Sequence, residues 1–355
     1  AQQGKKGEWE WKPITPRSLD EKITNTDFGV LLNGQDYQHP YLRDIAEVIW
    51  EQPFTRTWIE KYGTTQANRL VSLVIKNKQI LYMHPGMWHL DIDSELRSMS
   101  SRQGIEDYIV KLANDYMSYA KPAHNATGKP VYINFANEPW WADPPNNPVN
   151  VGWLKNPYYN YLGKNYLIEG YIAFYQAGLQ QGLTPGVDFR LILSVDGIFF
   201  PNKKLTLAIS EIQRMRNVIS RRLGIPEESV QLDIALQWRF DPTTTGGQTS
   251  SEGRYRMPTE SELERALQTI YNAGIPFHIT EFEIANIKDD EFNLTINEFC
   301  KIAVEYGARS ITIGGISHTE SNPFKDMRHP VFENGRFTST YYAYIKLMLD
   351  ILNIE

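Results

Sequence analysis

Only one of the 355 residues, Cys300, is a cysteine, which excludes an internal disulfide and any cysteine-rich metal site. No run approaches the roughly 18 consecutive apolar residues that a membrane-spanning helix needs. Basic residues are in deficit, with 36 Lys plus Arg against 42 Asp plus Glu and a formal net charge of -6. With no Lys/Arg-dense segment either, nucleic acid and an anionic membrane surface are excluded as main partners. Internal repeats, low-complexity tracts and a clear linker are also lacking. The chain starts Ala1-Gln-Gln, with neither a basic n-region nor an apolar h-region, so a mature, secreted or extracytoplasmic protein whose leader has been removed is expected. Asn125-Ala-Thr and Asn293-Leu-Thr fit the N-glycosylation pattern.

What the chain has in quantity is aromatic surface: 9 Trp, 20 Tyr and 15 Phe. Many stand beside Pro, Gly and Asn in apparent loops, where flat amphipathic rings suit stacking in a cleft as well as packing in a core.

Short β-rich runs alternate with longer helical patterns. Strands are expected at 27–32, 79–84, 130–136, 189–195, 231–237, 276–282 and 309–316, with an eighth, weaker one near 53–59. Runs such as Val131-Tyr-Ile-Asn-Phe-Ala and Phe189-Arg-Leu-Ile-Leu are apolar but for one residue each, as in strands covered on both faces. Helical spacing marks 104–119, 205–223, 259–273 and 340–352; the third opens on Thr259-Glu-Ser-Glu, close to a capping box, and is followed by Gly274. Eight strands alternating with helices predict an α/β fold, a (β/α)8 TIM barrel, with a doubly wound sheet as rival. The length fits one catalytic barrel domain over residues 1–355, with 1–25 as an N-terminal extension and 241–254 as a long loop after the sixth strand.

Two segments share one design. Val131-Tyr-Ile-Asn-Phe-Ala-Asn137-Glu138 and Pro276-Phe-His-Ile-Thr-Glu281 each run an apolar strand into a carboxylate. At a strand end facing the barrel mouth, desolvation can raise the pKa of such a group. Two carboxylates three strands apart are what glycoside hydrolysis requires: one protonates the leaving oxygen while the other attacks the anomeric carbon. No cofactor and no metal are needed for that chemistry.

Asn137-Glu138 after the fourth strand and Glu281 after the seventh resemble the clan A glycoside hydrolases, and family 10, the xylanases, most closely. Tyr82-Met-His84-Pro-Gly-Met-Trp88-His89 is similar to that family's third-strand signature. Ile234-Ala-Leu-Gln237, Ile279-Thr-Glu281-Phe-Glu283-Ile, Pro330-Val-Phe332 and Tyr341-Tyr-Ala are similar to later ones. The resemblance implies Glu138 as general acid/base, Glu281 as nucleophile of a retaining double displacement, and Asn137 as partner of the sugar 2-hydroxyl. It further implies His89 at the 3-hydroxyl side, Gln237 in the acid/base neighbourhood and Trp88 as a wall of the cleft. The expected substrate is xylan or a related β-1,4-linked polysaccharide. A clan A β-glycosidase of other specificity and a non-catalytic carbohydrate-binding barrel are the alternatives, and a monomer is expected. Three departures bear on specificity: the second-strand Asn/Lys motif is not placeable in Phe54–Lys61, Arg239 stands where the family has His, and Gly314 where it has Trp.

Trp140, Trp141, Trp153, Tyr158, Tyr159 and Tyr161 follow the acid/base candidate and read as stacking surfaces on the leaving-group side, Trp140 and Trp141 foremost. His84, His89, Asp91 and Asp93 match no zinc spacing and read as hydrogen-bonding groups. Glu283 reads as a supporting carboxylate. Asp196 after the fifth strand suits a sugar contact or a helix cap, and His318 and Glu320 a substrate contact or an exposed loop. Cys300 reads as a small buried apolar residue.

Overall fold

A computed structural model describes residues 27–32, 47–50, 53–140, 152–199, 201–244, 254–314, 332–333 and 336–337. Nine strands form one sheet: β1 (Asp27–Leu32), β2 (Glu47–Trp50), β3 (Ile80–Met83), β4 (Met87–Trp88), β5 (Val131–Asn137), β6 (Phe189–Asp196), β7 (Asp233–Phe240), β8 (Phe277–Ile284) and β9 (Ser310–Gly314). Every pairing in it is parallel. The neighbours run β3-β2-β1-β9-β8-β7-β6-β5, and β3 pairs back onto β5 through Tyr82↔Tyr132 and Met83↔Ile133. Eight strands therefore close a barrel, and the predicted (β/α)8 class is the observed one; the doubly wound alternative has open edges and is excluded. β4 is a two-residue addition at the mouth, with Trp88 paired to Asn137. A separate pair, β10 (Phe332–Glu333) and β11 (Arg336–Phe337), is antiparallel.

Seven of the expected strands lie within three residues of observed ones where described. The eighth is a correction: 53–59 turns and enters the helix Arg56–Tyr62, and the second barrel strand is Glu47–Trp50. The reason is a long-range cap. The Asp91 carboxylate accepts from the backbone N–H of Arg56 (2.8 Å) and of Thr57 (2.9 Å) and from the Thr57 hydroxyl (2.8 Å). A carboxylate at a helix N-terminus satisfies otherwise orphaned donors, and it overrides the β-preference of Thr57, Trp58 and Ile59.

The helices follow their sequence signals more closely. Helix Glu260–Asn272 carries the full capping box, Thr259 and Glu262 exchanging bonds. Helix Lys203–Leu223 is capped by Asn202, whose side chain accepts from Leu205 N–H. Helix Arg102–Thr127 runs eight residues beyond its expected end and ends on Gly128 in the left-handed region, φ 68°. Its apolar stripe of Ile105, Ile109, Leu112 and Tyr116 is buried. Cys300 is buried in helix Asp289–Glu305. The extension 1–25, Trp141, His318, Glu320 and the closing helix 340–352 lie outside the described residues, as do positions 245–253 of the long loop.

Two layers of core position the site. The outer layer packs helices on strands; the inner one fills the barrel with Ile80, Tyr82, Tyr132, Ile192 and Ala235. Below these rings, the side chains of Arg190, Asp233 and His278 form a buried polar floor, His278 lying 4.8 Å from the Tyr132 ring.

Candidate active site

A cavity of about 410 Å³ opens at the C-terminal ends of the strands, lined by Glu138, Glu281, Asn137, Trp88, His84 and Arg239, with Thr55, Thr57, Trp58, Lys61 and Tyr62 along one side. Both predicted carboxylates thus face one cleft. Each also has a left-handed backbone, φ 48° at Glu138 and φ 53° at Glu281. For residues with a Cβ this conformation is costly and is retained where the surroundings enforce it. Irregular register supplies the enforcement: β5 shifts against β6 between Asn134 and Ala136, and β8 shifts against β9 between Ile279 and Phe282. Such bulges turn a side chain away from plain alternation, and here they turn both carboxylates to the mouth.

Around Glu138, the backbone N–H donates to Ser194 O at 2.8 Å, fixing the strand end. The Trp88 indole Nε1 donates to Glu138 Oε2 at 3.2 Å. Burial pushes the Glu138 carboxyl above its ordinary range, and the negative Asp196 pushes it the same way, against the hydrogen bonds from Trp88 and Gln237 and the Lys204 ammonium. Asp196 is held in turn by Lys204 Nζ at 2.7 Å and the Tyr255 hydroxyl at 2.6 Å. The helix cap is provided by Asn202 and not by Asp196, which is an electrostatic neighbour of Glu138.

Asn137 is fixed in orientation. Its Oδ1 accepts from Asn134 Nδ2 (3.1 Å) and from Gln237 Nε2 (3.4 Å), which also donates to Ser194 Oγ (3.1 Å). The oxygen is thereby directed at the protein and the amide nitrogen away from those partners. Asn134 Nδ2 also donates to His84 Nδ1 at 2.8 Å. Burial lowers the His84 pKa to about 4, so the ring is a neutral hydrogen-bonding group at the cleft wall. Of the two histidines after the third barrel strand, the wall is formed by His84 and not by His89, which lies partly buried beside the edge of Trp88 at 6.0 Å.

On the other side Arg239 Nε donates to Glu283 Oε1 at 2.7 Å, and the fully buried Arg254 approaches the same oxygen at 3.2 Å. Both guanidinium groups thus stand on Glu283, Arg239 also lining the cleft with Glu281, whereas Lys204 pairs with Asp196 beside Glu138.

The expected aromatic platforms after Glu138 are corrected for Trp140 and Tyr158, while Tyr161 is exposed and Trp141 lies outside the described residues. Trp140 and Tyr158 are each only 1% exposed. Trp140 meets Trp153 edge-on at 5.5 Å, Trp153 stacks on Tyr159 at 5.9 Å, and Tyr158 stacks on Tyr166 at 5.9 Å. Loop rings that can bury against one another and against the helix Tyr166–Gln180 do so, because each removes a large apolar area from water. Among the described residues, the aromatic side chains that reach the cleft beside Trp88 are Trp58 and Tyr62, ring centroids 4.3 Å apart, with Lys61 Nζ 5.0 Å from the Tyr62 centroid. The helical spacing of Trp58, Lys61 and Tyr62 after a Thr-rich turn was the available signal for them. Asp91 caps the helix that carries them, and Asp93 caps helix Ser94–Ser98 and accepts from Tyr108. Among the described residues no group of three or more His, Cys, Asp or Glu could hold a metal ion, and no helix is long and apolar enough to cross a membrane.

Gly86 lets β4 lie against β5. A Cβ there would stand 2.4 Å from Phe135 O and 3.1 Å from Asn134 O, both backbone atoms. Gly86→Ala is expected to cost about 1–3 kcal/mol by overpacking, read as a lower denaturant midpoint, and to move Trp88 off Glu138.

No family model and no curated protein sequence matches the chain. Solved structures do match. A xylanase 10B from Thermotoga petrophila in complex with xylobiose is 16% identical, with 96% of this chain and 99% of that chain covered and a TM-score of 0.68. An intracellular xylanase from Thermoanaerobacterium saccharolyticum, in complex with xylotriose, is 11% identical over 94% and 99%, with a TM-score of 0.69. A family 10 structure from Paenibacillus barcinonensis is 13% identical over 92% and 96%, with a TM-score of 0.69. The barrel is therefore of the family 10 xylanase-like form.

Proposed function

We propose that this chain is a retaining glycoside hydrolase that cleaves xylan or a related β-1,4-linked polysaccharide by double displacement. The carrying observation is two carboxylates facing one cleft in different charge settings: burial and the negative Asp196 favour the protonated form of Glu138, while Arg239, which lines the cleft with Glu281, pairs together with Arg254 on the neighbouring Glu283. Environments that separate two carboxyl groups in this way separate acid from nucleophile. Glu138 gives its proton to the glycosidic oxygen as Glu281 attacks the anomeric carbon and the carbon–oxygen bond breaks. A water then gives its proton to Glu138 and displaces Glu281, which leaves as carboxylate. Asn137, locked by Asn134 and Gln237, donates to the sugar 2-hydroxyl, a bond that can strengthen in the transition state. Support for the glycan comes from the xylobiose and xylotriose bound to similarly folded xylanases.

The test is hydrolysis of a panel of xylans, glucans, mannans and aryl glycosides, with the anomer of the first product read by NMR. Release from xylan with retained β-configuration is expected. An α-anomer as first product overturns double displacement, and release only from another glycan overturns xylan. Because burial and Asp196 hold Glu138 above the ordinary glutamic value of about 4.3, the alkaline limb of kcat/KM should fall above that value. A limb at or below it removes Glu138 as the acid.

A further inference from the structure

From the strand register and the buried ion pair, we infer that Asp196 is a positioning residue acting through Glu138, keeping the proton on that carboxyl in the free enzyme and drawing one back to it during the second displacement. The inference rests on Glu138 being the acid/base.

Ser194 connects the two groups. Its carbonyl accepts from Glu138 N–H at 2.8 Å, and Asp196 stands two residues further along the same strand, hence on the same face as the Ser194 side chain. Asp196 also pairs in register with Gln237, which reaches Ser194 and Asn137. The carboxylate is held firmly. Lys204, 2% exposed in the first turn of helix Lys203–Leu223, donates to one oxygen at 2.7 Å, and Tyr255, 3% exposed, donates to the other at 2.6 Å. Tyr255 can reach it because Gly197 follows: a Cβ at position 197, φ 70°, would lie 2.7 Å from the tyrosine ring. Burial alone would raise Asp196, but Lys204 and Tyr255 outweigh it and hold the group ionised.

Among the described residues, the remaining charged and titratable groups around this pair are Glu281 on β8, Arg239 on β7, His84 after β3 and Lys61 across the cleft, with His89 near enough to Asp196 to feel its charge. Among the carboxylates, Glu281 and Asp196 differ in time. When Glu281 becomes the ester to the sugar its negative charge disappears, while that of Asp196 persists through both displacements. Asp196 therefore sustains the basicity of Glu138 at the step in which Glu138 must take a proton from water.

The experiment compares the pH profile of kcat/KM for wild type and Asp196→Asn, together with a 13C titration of the Glu138 carboxyl in substrate-free protein. The asparagine keeps the shape and an acceptor oxygen but removes the charge. The alkaline limb and the carboxyl titration should both move to lower pH by about one unit, a tenfold change in proton affinity. Asp196→Glu should restore the wild-type limb, which a merely structural role would not require. Should Asp196→Asn fail to fold around the Lys204 ammonium, the double variant D196N/K204Q removes both charges. Its limb should still move acidward, by less, since Asp196 acts on Glu138 more strongly than Lys204 does. An unchanged or alkaline-shifted carboxyl titration in the variant that folds overturns the role of Asp196. If that titration shifts while Glu138→Ala retains wild-type hydrolysis, the inference about Asp196 as a catalytic aid fails with the acid/base assignment, and the electrostatic coupling alone stands.

Discussion

Glu281→Ala is expected to reduce glycan cleavage by about 10⁴–10⁶-fold, the scale on which removal of a covalent nucleophile acts. Glu138→Ala should reduce it by about 10²–10⁴-fold, the usual contribution of a general acid/base, and less for aryl glycosides whose leaving group departs without a proton. Azide separates the two roles. In the Glu138 variant it attacks the glycosyl-enzyme and yields a β-glycosyl azide; in the Glu281 variant it occupies the nucleophile's place and yields the α-anomer. Wild-type rates in Glu281→Ala, or the same azide product from both variants, would remove the double displacement. The structural basis is that both groups sit in one cavity on left-handed backbones, 8% exposed in the case of Glu281. Distortion of that kind recurs at sites where geometry serves chemistry.

The largely apolar runs before Asn137 and Glu281 made the barrel strands legible, because a strand covered on both faces has few polar positions to disguise it. The carboxylates were legible for the same reason: a charge directly after a buried run has few structural uses. Three things were not. Pro53–Ile59 read as a strand because local preference cannot register a cap from Asp91, 34 residues or more away in the chain. The rings after Glu138 read as stacking platforms because composition cannot tell an aromatic that faces a sugar from one that faces another aromatic; Trp140 faces Trp153. Asp196 does not cap the helix that follows it, and its partners Lys204 and Tyr255 come from a helix and a loop return that only the fold brings together. Local pattern thus located the reacting groups, and the charges that differentiate them were set by long-range packing.

A second large effect is expected far from the cleft. Asp233 accepts two parallel bonds from Arg190, each 2.7 Å, one from His278 Nε2 at 2.9 Å and one from Gln231 at 3.1 Å, while His278 Nδ1 accepts from Ser310 Oγ at 2.8 Å. The group joins β6, β7, β8 and β9 at their N-terminal ends. Burial alone would raise Asp233, but Arg190 and His278 outweigh it and hold the carboxyl far below the ordinary range. Asp233→Ala strands a guanidinium that is 11% exposed, and loss of one partner of a buried pair costs about 3–5 kcal/mol. The sign with pH follows from the lowered value. A carboxyl more acidic in the folded state contributes stability that is fully present above its unfolded pKa of about 3.9 and is lost as pH falls toward the folded value. Burial likewise lowers His278 in the fold, so its contribution is present above about pH 6.5 and declines below it. Urea midpoints should therefore show the widest gap between wild type and Asp233→Ala near neutrality and a narrowing gap below about pH 4. An equal gap at pH 7 and pH 3, or a cost under about 1 kcal/mol, would mean that neighbouring groups or water replace the carboxylate, and that the floor of the barrel is not held by this charge.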